Sequence, residues 1–294
     1  MRSPPASLGI PSTLRGGVLL ITAIFLSGIA MAETPLERGA YLVRGIAGCG
    51  NCHTARDPDE EPIAAMELAG GRVLDAPFAR IIMPNITPDN ETGIGSWTDE
   101  QIATAIREGK RPDGTLIGPA MPIGVYRGIS DVDTQAIVAY VRSVPPISHK
   151  LAKTIYKVPV PTSYGPPVGH VPEVSRADRI AYGGYLAGPV GHCLFCHTPM
   201  VQGRPDVSKT GLGGREFPVP GGGAIRSRNI TPDPETGIGK WSDQEIKTAI
   251  TTGVRRDGGL LVPFMAFRWY AHIDEADLDA IVAYLRSLKP LATQ

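Results

Sequence analysis

All four cysteines of the 294-residue chain fall in two copies of one pattern, Cys49-Gly50-Asn51-Cys52-His53 and Cys193-Leu194-Phe195-Cys196-His197. Two thiols three positions apart, followed directly by an imidazole, is the arrangement of covalent c-type haem attachment. The thiols form thioethers to the haem vinyl groups, and the imidazole ligates the iron from one side. Other chemistries use C-x-x-C. A thioredoxin-like redox pair requires a βαβ setting, and nothing in the sequence reads as one. A four-thiolate zinc site draws on pairs closer in sequence and would leave both histidines idle. Simple disulfides are open to an exported chain. The doubling of the whole pattern favours two covalently attached haem c groups, held by Cys49, Cys52 and His53 and by Cys193, Cys196 and His197.

A six-coordinate iron needs a second axial ligand, usually Met or His. The chain repeats itself at an offset of 144: Cys49 matches Cys193, Asn85 matches Asn229, Trp97 matches Trp241 and Tyr140 matches Tyr284. No net insertion separates the copies between the Cys pair and the last helix. Among the methionines, only Met121 and Met265 are paired at this offset, each with Pro two positions earlier (Pro119, Pro263). His149, His170, His192 and His272 have no such partner. His53 and Met121, and His197 and Met265, are therefore the expected iron ligands. A thioether is a weak donor that favours ferrous iron and raises the reduction potential relative to His/His ligation, which suits electron transfer. The best-matched stretch is NITPDNETGIGSWTD against NITPDPETGIGKWSD. Asn85, Asn229, Trp97 and Trp241 could hydrogen-bond a haem propionate; a structured turn with a packed Trp serves equally well.

Helices must position these residues. Thr34-Pro35-Leu36-Glu37 is a capping box with Pro at the first helical position, and Ser175-Arg176-Ala177-Asp178 is a similar box in the second copy. Thr98-x-x-Gln101 and Ser242-x-x-Glu245 start a middle helix that Gly109 and Gly253 stop. A last helix starts near Ser130 or Asp274, with Val132, Ile137, Val138, Tyr140 and Val141 fitting one face imperfectly. The expected fold is all-α, two tandem domains joined by a Pro-rich linker: residues 33–145, 146–175 and 176–294. The linker is either a spacer or a segment packed across both domains.

Residues 1–32 read as a signal peptide. Arg2 and Arg15 precede the apolar run Gly16–Ala30, and Ala30-Met31-Ala32 supplies a small-x-small cleavage site. The run is shorter than the ~20 residues that span a bilayer, so membrane association is expected only through a partner or an uncleaved signal. Cleavage takes Lys plus Arg from 29 to 27 against 29 Asp plus Glu, leaving about −2. That balance gives no basic excess for nucleic acid.

The order C-x-x-C-H, then N-I-T-P-D-x-x-T-G-I-G-x-W-[TS]-D, then Pro-x-Met and a final A-Y-[LV]-R-S helix resembles class I cytochrome c domains. More narrowly it resembles the multi-haem cytochrome c subunits of alcohol, aldehyde and gluconate dehydrogenases and related dihaem cytochromes. The resemblance covers Leu36–Val144 and Ile180–Leu288. It implies a periplasmic electron-transfer protein rather than an enzyme, taking single electrons from a dehydrogenase toward a terminal oxidase or another cytochrome. A fixed subunit of a dehydrogenase complex is the alternative, with a dihaem peroxidase or thiosulfate-type oxidoreductase behind it. Those subunits commonly carry three haem domains; this chain carries two motifs.

Overall fold

The computed structural model describes residues 33–218 and 223–293, with Met1 and Ser3 besides; the signal peptide expected over 1–32 otherwise lies outside the described residues. Glu33–Gln294 forms one compact unit. Among the described residues no helix is long and apolar enough to cross a membrane.

The first half runs through α1 (Pro35–Arg44), α2 (Cys49–His53), β1 (Val73–Ala76), β2 (Ala79–Ile82), α3 (Asp99–Glu108), α4 (Ile123–Tyr126) and α5 (Asp131–Ser143). Strand β3 (Ile155–Tyr156) belongs to the Pro-rich segment. The second half follows with α6 (Arg179–Tyr185), α7 (Cys193–Cys196), β4 (Met200–Val201), β5 (Arg204–Pro205), β6 (Glu216–Pro218), β7 (Ala224–Arg226), α8 (Asp243–Thr252), α9 (Phe267–Tyr270) and α10 (Glu275–Ser287).

The all-α expectation is therefore corrected: helices make up only 35% of the chain, and short sheets join them. The long stretch between each C-x-x-C-H motif and the N-I-T-P-D turn must satisfy its own backbone groups. It does so in antiparallel pairs, β1 with β2 in the first half, β4 with β5 and β6 with β7 in the second. The two copies also share one core. A single apolar cluster runs from Leu42 and Ile46 through Ile137 and Val141 to Leu186, Ile281 and Leu285.

Local chemistry explains the helix ends. Thr34 with Glu37, Thr98 with Gln101 and Ser242 with Glu245 each form a reciprocal capping box. Gly109 and Gly253 close their helices in the left-handed conformation at φ 67° and 73°, where Gly avoids the Cβ penalty. The box expected at Ser175 moves three residues on. Asp178 caps α6, accepting from Ala181 N at 3.0 Å, while Ser175 O closes a turn onto Asp178 N. Helix α6 then runs into a π-turn, Leu186–Val190, which contains Pro189. Proline has no N–H to donate, so the ladder widens there.

Helices α1 and α5 cross at Gly39, and α6 and α10 at Gly183. A Cβ at either would collide with the carbonyl oxygen of Ala136 or Ala280. On α5, Val132 is 49% exposed while Ile137, Val138, Tyr140 and Val141 are buried.

The Pro-rich segment is no loose spacer; it lies across the first half. Strand β3 extends the hairpin by pairing with β2. Tyr164 Oη donates to Ile117 O at 2.8 Å, and Val168 N donates to Glu108 Oε1 at 2.8 Å. Further along, Asp131 N donates to Val171 O at 2.9 Å.

The halves meet through a reciprocal contact. Tyr41 of α1 donates to Asp277 Oδ2 of α10 at 2.7 Å, and its counterpart Tyr185 of α6 donates to Asp133 Oδ2 of α5 at 2.6 Å. Each phenol oxygen also accepts from the backbone N–H that opens the facing helix, Asp274 at 3.3 Å and Ser130 at 3.2 Å. Exchange of equivalent partners in this way marks an approximate two-fold relation. Arg38 completes one side, with Nε 2.7 Å from Asp133 Oδ1 and Nη2 3.0 Å from Asp133 Oδ2.

Candidate haem-binding sites

Each motif forms a short helix, α2 or α7, entered through a left-handed residue: Gly48 at φ 55° and His192 at φ 45°. The left-handed turn redirects the chain from the preceding helix so that both thiols and the imidazole stand together. The following threonine locks the next loop. Thr54 Oγ1 accepts from Leu68 N and Thr198 Oγ1 from Gly211 N, both at 3.2 Å. Gly70 N and Gly213 N return to the carbonyls of His53 and His197, each at 2.8 Å.

The four thiols are unpaired and half-buried. Burial pushes Cys49 and Cys193 up to about 12 and Cys196 up to about 11, so the thiols are protonated at neutral pH. Burial lowers the pKa of both motif imidazoles. His53 Nδ1 lies 2.9 Å from Pro84 O, and His197 Nδ1 lies 2.7 Å from Arg228 O. A carbonyl only accepts, so Nδ1 carries the proton and Nε2 keeps its lone pair for a metal. The donor set fits haem c in both halves: two reduced thiols and one neutral, oriented imidazole.

Met121 and Met265 occupy equivalent places, two residues before α4 and α9. Both are half-buried against the core that also takes Cys49, Trp97, Cys193 and Trp241. The two asparagines serve the turn. Asn85 Nδ2 donates to Ile147 O at 2.8 Å and to Thr92 Oγ1 at 3.1 Å, while its Oδ1 accepts from Thr87 N and Oγ1 at 2.9 and 2.7 Å. Asn229 repeats this with Leu291 O, Thr236 and Thr231. Their polar atoms are thus committed to protein. The backbone carbonyls of Trp97 and Trp241 accept from Arg142 and Arg286, whereas their half-buried indole N–H groups find no protein acceptor among the described residues.

Sequence reasoning missed the residues that brace the motif loops. Arg72 Nη1 donates to the Asn51 carbonyl at 2.6 Å, and Arg215 Nη1 to the Phe195 carbonyl at 2.7 Å. These arginines are 143 apart, not 144, because the Gly-Gly-Arg loop slips one residue between the copies. Allowing a one-residue gap would have paired them. His192 sits between the halves. Its ring meets Tyr126 edge-on at 5.9 Å, and burial pushes its pKa down to about 4. Tyr270 Oη donates to Gly191 O at 3.0 Å, bringing a second tyrosine to the same seam.

Each C-x-x-C-H helix thus brings two half-buried thiols and an oriented imidazole together, a donor set of the kind c-type cytochromes use. No protein-family model matches the chain. It is similar to c-type cytochrome proteins. It is 32% identical over 90% of its length to the cytochrome c subunit of a quinone alcohol dehydrogenase from Gluconacetobacter polyoxogenes. It is 34% identical over 88% to the fructose dehydrogenase cytochrome subunit of Gluconobacter japonicus. The chain spans 60% and 54% of those two relatives. A diheme cytochrome c-type protein of Cereibacter sphaeroides is 29% identical, with 81% of each chain covered.

Proposed function

We propose that the chain is a two-haem electron carrier. Cys49 and Cys52 anchor one haem and Cys193 and Cys196 the other; His53 and His197 are the first axial ligands, Met121 and Met265 the second. The observation that carries this reading is the duplicated imidazole geometry, Nδ1 held by a carbonyl 31 residues on in both halves. Bound haem c supplies one-electron redox chemistry and nothing else is asked of it. The chain holds the imidazoles neutral, and Met121 and Met265, at matching places before short helices, would supply the thioether ligands. Indole N–H groups of Trp97 and Trp241 are free to bind a propionate.

The donor is a dehydrogenase, as the relatives' names suggest, and the acceptor is a terminal oxidase or another cytochrome. Whether the chain diffuses freely or sits in the dehydrogenase complex is decided by co-purification at fixed stoichiometry. Residues 1–32 direct export to the periplasm, and residues 33–145 and 176–294 mark the two haem-bearing segments. Pyridine haemochrome analysis of periplasmic protein should give two covalent haems per chain, with a weak near-red band from Met ligation. One haem, or ready binding of carbon monoxide by the native reduced protein, overturns the ligand assignment.

A further inference from the structure

The two haem sites differ, and the differences act in one direction. Arg56 of the first half is replaced by Met200 at the equivalent place in the second. Its guanidinium donates to Asn51 O at 3.1 Å and Asn51 Oδ1 at 2.8 Å, inside the C-x-x-C-H loop, and to Glu60 O at 2.9 Å. All three acceptors are neutral amide oxygens, so no carboxylate neutralises it through these bonds. Its Nε is buried without a partner. Arg72 reaches the same Asn51 carbonyl. Burial, with Arg72 as the next cause, pulls the Arg56 pKa down to about 10. Among the described residues the second half has one arginine on its motif loop, Arg215, stacked on Phe195 and Phe217 at 4.2 and 5.0 Å, as Arg56 stacks on Trp269 at 5.0 Å. Asp59, Glu60 and Glu61 near Arg56 are exposed and Glu61 is already paired with Arg268, while the half-buried Asp57 spends its Oδ1 on Asp59 N and Glu61 N. Water screens exposed charges far more than buried ones.

The second difference is cover. In the first half the Pro-rich segment closes over the loop leading to Met121: Tyr164 bonds Ile117, and the Tyr156 hydroxyl fills the space a Cβ at Gly118 would take. Among the described residues the equivalent loop leading to Met265 is covered only at its end, where Phe217 meets Phe264 at 4.9 Å; Leu260 is 78% and Val262 46% exposed.

We propose that the two haems are ordered in potential, the first-half haem being the higher, held there by Arg56 and by the cover of residues 146–174. This rests on the two-haem reading above. The oxidised site carries one more positive charge than the reduced one. A half-buried cation on the motif loop and exclusion of water both disfavour that charge. One electron arriving through the open second-half face then passes to the first half, oxidising the former site and reducing the latter, with no bond made or broken.

The test is an optical potentiometric titration of the mature holoprotein, after pyridine haemochrome analysis. Fewer than two haems sinks the carrier reading itself. With two haems, the titration should resolve two steps. Met121→His should move the upper step down and Met265→His the lower one, which assigns each step to its half. Arg56→Met should lower the upper step alone, and the reciprocal Met200→Arg should raise the lower step alone, narrowing the gap from either side. A single step, the reverse assignment, or an Arg56→Met protein with both haems and an unmoved upper step overturns the ordering.

Discussion

Asp133→Asn tests how much stability rests on the buried polar cluster at the seam between the halves, where Asp133 pairs with Arg38 of its own half and accepts from Tyr185 of the other. The Asp133 side chain is 5% exposed and that of Arg38 10%, and two hydrogen bonds at 2.7 and 3.0 Å join them. The same carboxylate accepts from Tyr185 of the other half at 2.6 Å. Replacing it with an amide leaves the Arg38 charge buried without a counter-charge, a loss of about 3–5 kcal/mol. For a protein of this size roughly 2–4 °C per kcal/mol puts the fall in Tm at about 6–20 °C. Tyr185→Phe removes the hydrogen bond to the Asp133 carboxylate, about 1.5–3 kcal/mol, together with the longer contacts to Ser130 N and Oγ at 3.2 Å. In the double mutant the two losses should fall short of adding, with a coupling of about 0.5–3 kcal/mol. Thermal unfolding followed by far-UV and Soret signals measures all four proteins. A loss under about 1 kcal/mol for Asp133→Asn, or strict additivity, refutes the reasoning.

Three further outcomes are expected. Met121→Ala should abolish the near-red band of one haem and leave carbon monoxide binding at that haem alone; Met265→Ala should do the same at the other. Gly39→Ala should destabilise by about 1–3 kcal/mol, because the new Cβ meets the Ala136 carbonyl and α1 must move off α5; urea midpoints check it. The side-chain bond from Arg107, then that from His170, lowers the Asp131 pKa to about 2. A carboxylate whose pKa falls on folding contributes fully above its unfolded pKa of about 3.9. That contribution is lost as pH drops toward about 2, so Asp131→Asn should show a smaller fall in urea midpoint between pH 5 and pH 2.5 than the parent.

What was legible in the sequence was local or periodic. Thr34, Thr98, Ser242, Gly109 and Gly253 act on neighbours within one helical turn, so their types alone located the helix ends. The C-x-x-C-H motif pointed to His53 and His197, and the 144-residue offset placed Met121 and Met265 at equivalent points. The sheets were not legible, because strands of two to four residues carry too little alternation to register. The helix α5 pattern looked imperfect because Asp133 and Thr134 are buried within it while Val132 faces out. Buried polar residues at the seam between halves break the apolar period. The partners of Tyr41 and Tyr185 lie 236 and 52 residues away, beyond any local signal. The role of Asn85 was open until the path of Ile147 past it was known.

The swapped Tyr41–Asp277 and Tyr185–Asp133 bonds are those a dimer of identical subunits would make. In such a dimer every substitution strikes both sites at once, and the two centres must stay alike. Joining the copies in one chain removes that tie while keeping the interface. One copy can then hold Arg56 and Gly118 where the other holds Met200 and Val262. Fusion converts a symmetric pair into a molecule with a front and a back, and gives electron flow a direction that symmetry would forbid.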